Sequence, residues 1–331
     1  MNSGRLWPAV MAAVTGSVMV GFMPIMARTL YADGLSAPSM LFWRYAIALP
    51  ALLIAAAVIR LDLIRAWRSG AWKIALVGAT LGVGQTICFW ESIRFIDTGL
   101  ADLLFYTYPG LTLLLDRLLF GRAIRAKAVL CVATILLGAA LITVPGLRGG
   151  SIDLRGLAWA IPSPLIYVFY LAANSVLLHR QQPLTGALGL YSGMALAFGA
   201  ACAVGGLDVP ANADTWGLMV AAALGPGAVV ITLFSYSVPR LGPSSYAIVA
   251  NMELVTVVTV GVMLLGEQMT TERAMGGALI IAGIVGYGLL RKPEAAPVLD
   301  EGEPLPAVVI ASEAKQSRAS EFQSARDCRG T

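Results

Sequence analysis

Glu253 lies in "NMELVTVVTVGVMLLGEQ", residues 251–268, where almost every neighbour is soluble in oil. A carboxylate in such a stretch can carry a proton, bind a cation, or accept from a buried donor. Asn251 comes two residues earlier, so it cannot share the face of Glu253 fully, but it can border the same space. The first half of the chain offers a second group in "YTYPG", with Tyr106, Tyr108 and Pro109. Pro109 has no N–H to give the carbonyl of Phe105, which leaves a backbone acceptor exposed or simply kinks a packed helix. The two tyrosine rings can stack on an aromatic or cationic molecule, or fill a core. These five residues, Tyr106, Tyr108, Pro109, Asn251 and Glu253, are the candidate binding set.

Three charged residues are candidates for coupling or gating: Glu253 itself, Arg44 and Glu91. Arg44 is near enough to a helix end to snorkel as an anchor, or it forms a functional ion pair or carboxylate clamp. Glu91 and Arg94 stand one turn apart and read as a surface pair or a gate. Asp116–Arg117 read as a surface pair, and Glu267 and Arg122 as caps or loop contacts. No catalytic residue and no metal site is expected. Cys88, Cys131 and Cys202 lie in apolar runs, Cys328 is in the tail, and His179 is alone, so metal-ligand spacing is missing. "GATLGVG" at residues 78–84 opens no strand–helix unit, and no P-loop is present, so no nucleotide or other cofactor is expected.

The elements that must position these residues follow from composition. The chain of 331 residues is 58% hydrophobic and 13% charged, against about 45–50% and 25% for a soluble domain. This is the composition of a polytopic membrane protein, and basic runs interleaved with aromatics, which would suggest nucleic acid, are missing. Apolar runs of span length predict helices at about 7–28, 38–59, 72–93, 99–120, 127–144, 156–178, 184–205, 215–236, 243–265 and 273–290. The first run follows Arg5, continues to Ala27 and meets no convincing cleavage site, so it reads as a span and not as a signal peptide. Strands are not credible in lipid for runs this long and uniformly apolar. Within the ninth run Glu253 falls about 15 Å from the start at Pro243, near the centre of a roughly 30 Å core. A charge there costs about 2.5–3.5 kcal/mol, so Glu253 faces a wet cavity, pairs with a cation, serves a buried donor, or stays protonated.

With the N-terminus inside, 12 lysines and arginines fall in inner loops, among them Arg5, Arg122, Arg180 and Arg291, and 5 in outer ones, Arg148 among them; both termini are thus expected in the cytoplasm. Residues 91–122 can be laid over residues 236–267 without a gap, and one similar helix follows each. Five helices repeated once place the second copy upside down, an inverted repeat with a site near the midplane between the halves. The expected fold class is therefore an all-α membrane protein of ten transmembrane helices in a five-plus-five inverted repeat. Its parts are residues 1–150, residues 151–291, and a disordered cytoplasmic tail from 292 to 331 rich in Pro, Ala, Ser and Glu. Gly78 with Gly82 and Gly189 with Gly193 have the spacing that lets helices approach closely.

Ten helices as two fives, a "P…GE" element closing each half's fourth helix, and an arginine in helix 2 resemble the EamA family of the drug/metabolite transporter superfamily. "YTYPGLTLLLDRLLFG" is similar to the corresponding helix of the YddG-like branch, the aromatic amino-acid exporters. Two positions depart from the family pattern: Arg122 stands where it usually has Glu, and Leu254 where it usually has Pro. "GEQMT" at 266–270 keeps it. The resemblance implies a bacterial inner-membrane secondary transporter, not an enzyme. It would export small metabolites by alternating access through a central cavity, amino acids and aromatic ones first. The alternative it leaves is an importer or exchanger of a sugar, nucleotide-sugar or drug-like cation. Expected partners are a small-molecule substrate and the lipid bilayer, with the chain working as a monomer.

Overall fold

A computed structural model describes residues 6–96, 98–121, 124–144, 153–179, 181–265 and 268–290. Arg5, Arg122, Arg148, Arg180, Gly266, Glu267 and the tail from Arg291 lie outside the described residues, and so do the sequence expectations that fall on them. Every described element is helical. In chain order they are α1 (Trp7–Ala32), α2 (Ala37–Val58), α3 (Leu63–Ser92), α4 (Thr98–Phe105, continuing as Tyr108–Phe120) and α5 (Ala126–Thr143). Then follow α6 (Leu154–Leu177), α7 (Pro183–Gly205), α8 (Ala213–Leu241), α9 (Pro243–Ala250, continuing as Met252–Leu265) and α10 (Thr271–Leu290). Among the described residues eight helices, all but α4 and α10, are long and apolar enough to cross a membrane.

Local chemistry sets the helix ends. Prolines 8, 38, 183 and 243 sit in the first turn of a helix, where the missing N–H leaves nothing unpaired, and prolines 24, 109 and 162 open the second segments of α1, α4 and α6. Asp62 caps α3 by accepting from the Arg65 amide at 2.9 Å, and Asn212 caps α8 through the Thr215 amide at 2.8 Å. The Asp62 cap starts a short helical piece at Leu63 that carries Arg65 and Arg68 and ends at Gly70, whose φ of 107° is not helical and suits glycine. The apolar part of α3 resumes at Trp72, the expected start.

The second half repeats the first at one constant offset. Laying 91–122 over 236–267 is a shift of 145 residues, and the same shift carries Thr98, which opens α4, onto Pro243, which opens α9. It carries Ala126, the start of α5, onto Thr271, the start of α10. A π-helical turn at Gly78–Gly82 in α3 recurs at Ala223–Val229 in α8, and its first residues match at this shift.

Close contacts obey the same relation. A methyl group placed on Gly138 of α5 would lie 2.6 Å from the Gly276 carbonyl of α10. One placed on Gly283 of α10 would lie 2.8 Å from the Cys131 carbonyl of α5. The shift pairs Gly138 with Gly283 and Cys131 with Gly276, so exchanging the halves maps one contact onto the other.

The halves interleave. α2 packs on α7 and on the π-helical turn of α8, while α1 packs on α8 and α9. The glycine pairs of α3 and α7 face one another: a Cβ on Gly78 would meet the Leu190 carbonyl at 2.5 Å, one on Gly189 the Ala71 carbonyl at 3.1 Å, and one on Gly193 would run into Ala75. Among the eight spans α9 is the most enclosed, with 56% of its window buried against 28% for each of α1, α2 and α3. That places the α9 residues at the centre.

Candidate functional site

Two helices break at the centre, at positions the repeat makes equivalent. α4 leaves its helical course at Tyr106 and Thr107, and α9 at Asn251. The shift of 145 sets Tyr106 against Asn251 and Tyr108 against Glu253. Different chemistry opens the two breaks. In α4, Pro109 is the second residue of the continuing piece and cannot donate to Phe105. Around it the bonding tightens to three-residue turns, Thr107 N to the Leu104 carbonyl at 3.2 Å and Gly110 N to the Thr107 carbonyl at 3.1 Å.

In α9 the sequence carries no proline at the break. There the Asn251 side chain donates to the Ala247 carbonyl at 2.8 Å, taking the acceptor its own amide would use in a regular helix. The displaced amide turns to Ile248 at 3.3 Å. This is the local competition by which asparagine loosens helices.

The breaks touch. Asn251 Nδ2 lies 3.5 Å from the Tyr108 hydroxyl, and Asn251 Oδ1 is buried with no hydrogen-bond partner. Tyr106, Tyr108, Pro109 and Asn251 are buried and Glu253 is partly so. The charged groups that act on the Glu253 carboxylate are Asp102 of α4 and Arg44 of α2. α1 closes one wall, since a Cβ at its kink residue Gly21 would sit 2.6 Å from Thr256 Cβ and 3.0 Å from the Glu253 carbonyl oxygen.

Arg44 is not at a surface. It donates to the Pro226 carbonyl at 2.8 Å, its Nε is buried without a partner, and its guanidinium stands 5.9 Å from the Tyr45 ring. The acceptor lies in the π-helical turn Ala223–Val229, which holds Pro226 inside a helix; such turns recur at functional positions.

From Tyr108 aromatic rings run through the interior in an unbroken series. Tyr108 meets Tyr167 edge-on at 5.1 Å, Tyr167 stacks with Tyr170 at 6.0 Å, and Tyr170 with Phe234 at 5.6 Å. Phe234 meets Tyr246 at 5.2 Å. Tyr167, Tyr170, Phe234 and Tyr246 were not singled out from sequence; the one available signal was "YVFY" at 167–170, two tyrosines a turn apart on α6.

Other charged groups stand elsewhere. Glu91 pairs with Arg94 at 2.7 Å on the surface, apart from the central group. Asp116, read from sequence as half of a surface pair, is buried at 5% exposure and accepts a short hydrogen bond from Ser244 in the first turn of α9. This contact ties α4 to α9 on the side of the breaks opposite the loops at 33–36 and 93–96. Beside the 33–36 loop, Asp208 ties the connection after α7 to the start of α2, accepting from Ser36 N at 2.9 Å and Ser39 Oγ at 3.1 Å. Hydrogen bonds from Ser36 and then Ser39 hold its carboxyl below the usual carboxylate range. Among the described residues no three of His, Cys, Asp and Glu gather as a metal would require.

The arrangement as a whole is a charged, amide-bearing and aromatic interior between two broken helices in an apolar bundle. Among curated proteins none matches this chain. A solved structure titled "Crystal structure of protein" has the same fold, with a TM-score of 0.72 at 18% identity, covering 85% of this chain and 96% of that one. The model of the EamA-like transporter family matches twice, over residues 7–144 and 154–289. With two matched repeats and eight apolar helices the protein is a multi-pass membrane protein, and the chain belongs to the EamA-like transporter family, within the drug/metabolite transporter superfamily.

Proposed function

We propose that the protein is a secondary transporter of the bacterial inner membrane that exports small metabolites, amino acids foremost and aromatic ones first, as in the YddG-like branch. In this reading ten helices span the bilayer as an inverted repeat of residues 1–150 and 151–291, both termini are cytoplasmic, and the tail from 292 plays no part in transport. The observation that carries it is the meeting of the α4 and α9 breaks around Tyr106, Tyr108, Pro109, Asn251 and Glu253. Broken helices paired across repeats are how transporters expose backbone acceptors to a substrate. Arg44, with an unpartnered Nε, offers a donor to a carboxylate, Glu253 an acceptor to an ammonium group, and the tyrosines a surface for a ring.

Alternating access is supported by the Asp116–Ser244 contact, which closes α4 onto α9 on one side of the breaks. Glu253 is the group that would exchange protons with the substrate's motion. The competing reading, exchange of an anionic metabolite such as a nucleotide-sugar, is favoured by the same open Arg44 donor. The test is uptake of labelled phenylalanine and an amino-acid panel into proteoliposomes, wild type against Glu253→Gln, with and without a pH gradient. Gradient-driven uptake that the variant loses is the expected result. Uptake indifferent to both reduces Glu253 to a structural partner, and no amino-acid uptake at all removes the substrate assignment.

A further inference from the structure

A space opens away from Glu253, on the face that carries the loops at 33–36 and 93–96. It is a cleft of about 530 Å³ between α1, α2, α3 and α7, with Tyr31, Leu41, Trp90 and Phe198 among its walls and Glu91 and Arg94 beside them. That volume lies within the roughly 300–1,000 Å³ of small-molecule sites. The cleft has three components in one place. Tyr31 and Trp90 meet edge-on at 5.3 Å and 89°, which leaves ring faces for an apolar or aromatic side chain. Glu91 and Arg94 put a carboxylate and a guanidinium one helical turn apart, with side chains 34% and 67% exposed. The Tyr31 hydroxyl is buried with no partner, a donor already stripped of water.

We propose that this cleft is a second binding site for the transported molecule, taking an aromatic α-amino acid as its zwitterion. The inference rests on the amino-acid reading above. The substrate ammonium pairs with Glu91, its carboxylate with Arg94, and its ring packs against Trp90. The existing Glu91–Arg94 pair yields readily, because exposed ion pairs are weakly held. Side chains connect the cleft to the interior. Phe198 and Leu41 are 3% and 5% exposed, and Phe198 stacks on Tyr45 at 5.8 Å, next in sequence to Arg44.

Equilibrium dialysis of radiolabelled phenylalanine against the purified full-length protein in lipid nanodiscs tests this. Wild type is expected to bind twofold more at saturation than the Glu91→Gln/Arg94→Gln variant, whereas Glu253→Gln affects the other half. A second reading, from wild type against Trp90→Phe, is the loss of phenylalanine-dependent tryptophan quenching. It does not depend on the charged variant folding. Equal saturation in wild type and the double variant, or quenching unchanged without Trp90, overturns the cleft site while leaving the central one intact. If no phenylalanine binds to any form, the amino-acid reading fails and the cleft loses its occupant with it.

Discussion

Substituting Gly138 with alanine should loosen the α5–α10 pair, and the coordinates say by how much. The added methyl would sit 2.6 Å from the Gly276 carbonyl oxygen and 3.1 Å from the Ile280 amide nitrogen, both backbone atoms that no rotamer change can move. Carbon contacts are comfortable at about 3.5–4.0 Å, so the helices must part by roughly 0.5–1 Å, and such a gap forfeits about a quarter to a half of each dispersion well along the seam. Overpacking of this kind costs about 1–3 kcal/mol. At roughly 2–4 °C per kcal/mol, the melting temperature should fall by several degrees, read as tryptophan fluorescence of detergent-solubilised protein. Gly283→Ala should fall with it, because its methyl would meet the Cys131 carbonyl at 2.8 Å. Gly288→Ala is the control on the same helix; nothing lies within 4 Å of its added methyl, so it should melt no lower than wild type. The double variant Gly138→Ala/Gly276→Ala should lose less than the summed singles, since one separation relieves both clashes. If Gly138→Ala melts with Gly288→Ala, the close approach is not what holds this pair, and the reasoning is refuted.

Three other outcomes follow from the geometry. Arg44→Leu leaves the Pro226 carbonyl without its donor and should destabilise the protein by about 1–3 kcal/mol; a variant that melts like wild type removes that bond from the account. Asn251→Ala returns the Ala247 carbonyl to the backbone, so α9 should straighten: phenylalanine transport in proteoliposomes is lost while stability changes by only about 1 kcal/mol, and undiminished transport sinks the role given to the break. Asp208, whose folded-state carboxyl titrates below its unfolded value, contributes stability above the ordinary carboxylate range and loses it as pH falls through the folded value. Asp208→Asn should therefore melt below wild type at neutral pH and converge with it in strong acid; a gap that persists there contradicts the assignment.

Much of the fold was legible because lipid imposes a length on apolar runs, and the spans could be read to within a turn at most ends. The start of the apolar part of α3 at Trp72 was readable because Arg65, Arg68 and Gly70 interrupt the apolar run; the short helical piece before Gly70 was not. The repeat was visible in one segment with few identities. Its full reach appears only where helix starts, π-helical turns and glycine contacts recur at a single shift. Glu91–Arg94 was readable because the pairing is local. Asp116 was not, because its partner Ser244 is 128 positions away and nothing in the sequence says which face of α4 meets α9. The α9 break was also hidden: it depends on where the Asn251 side chain points, which periodicity does not encode.

The register that places Tyr108 against Glu253 has a consequence for charge. An assembly of two identical five-helix subunits about a twofold axis must repeat whatever it carries: an acid at this position would come with its twin, and the pair would have to share or shed a proton. Joining the two halves in one chain lifts that constraint. One arm keeps the acid and the other presents a phenol at the equivalent position, so this pair of positions carries one titratable carboxylate where a symmetric assembly would carry two.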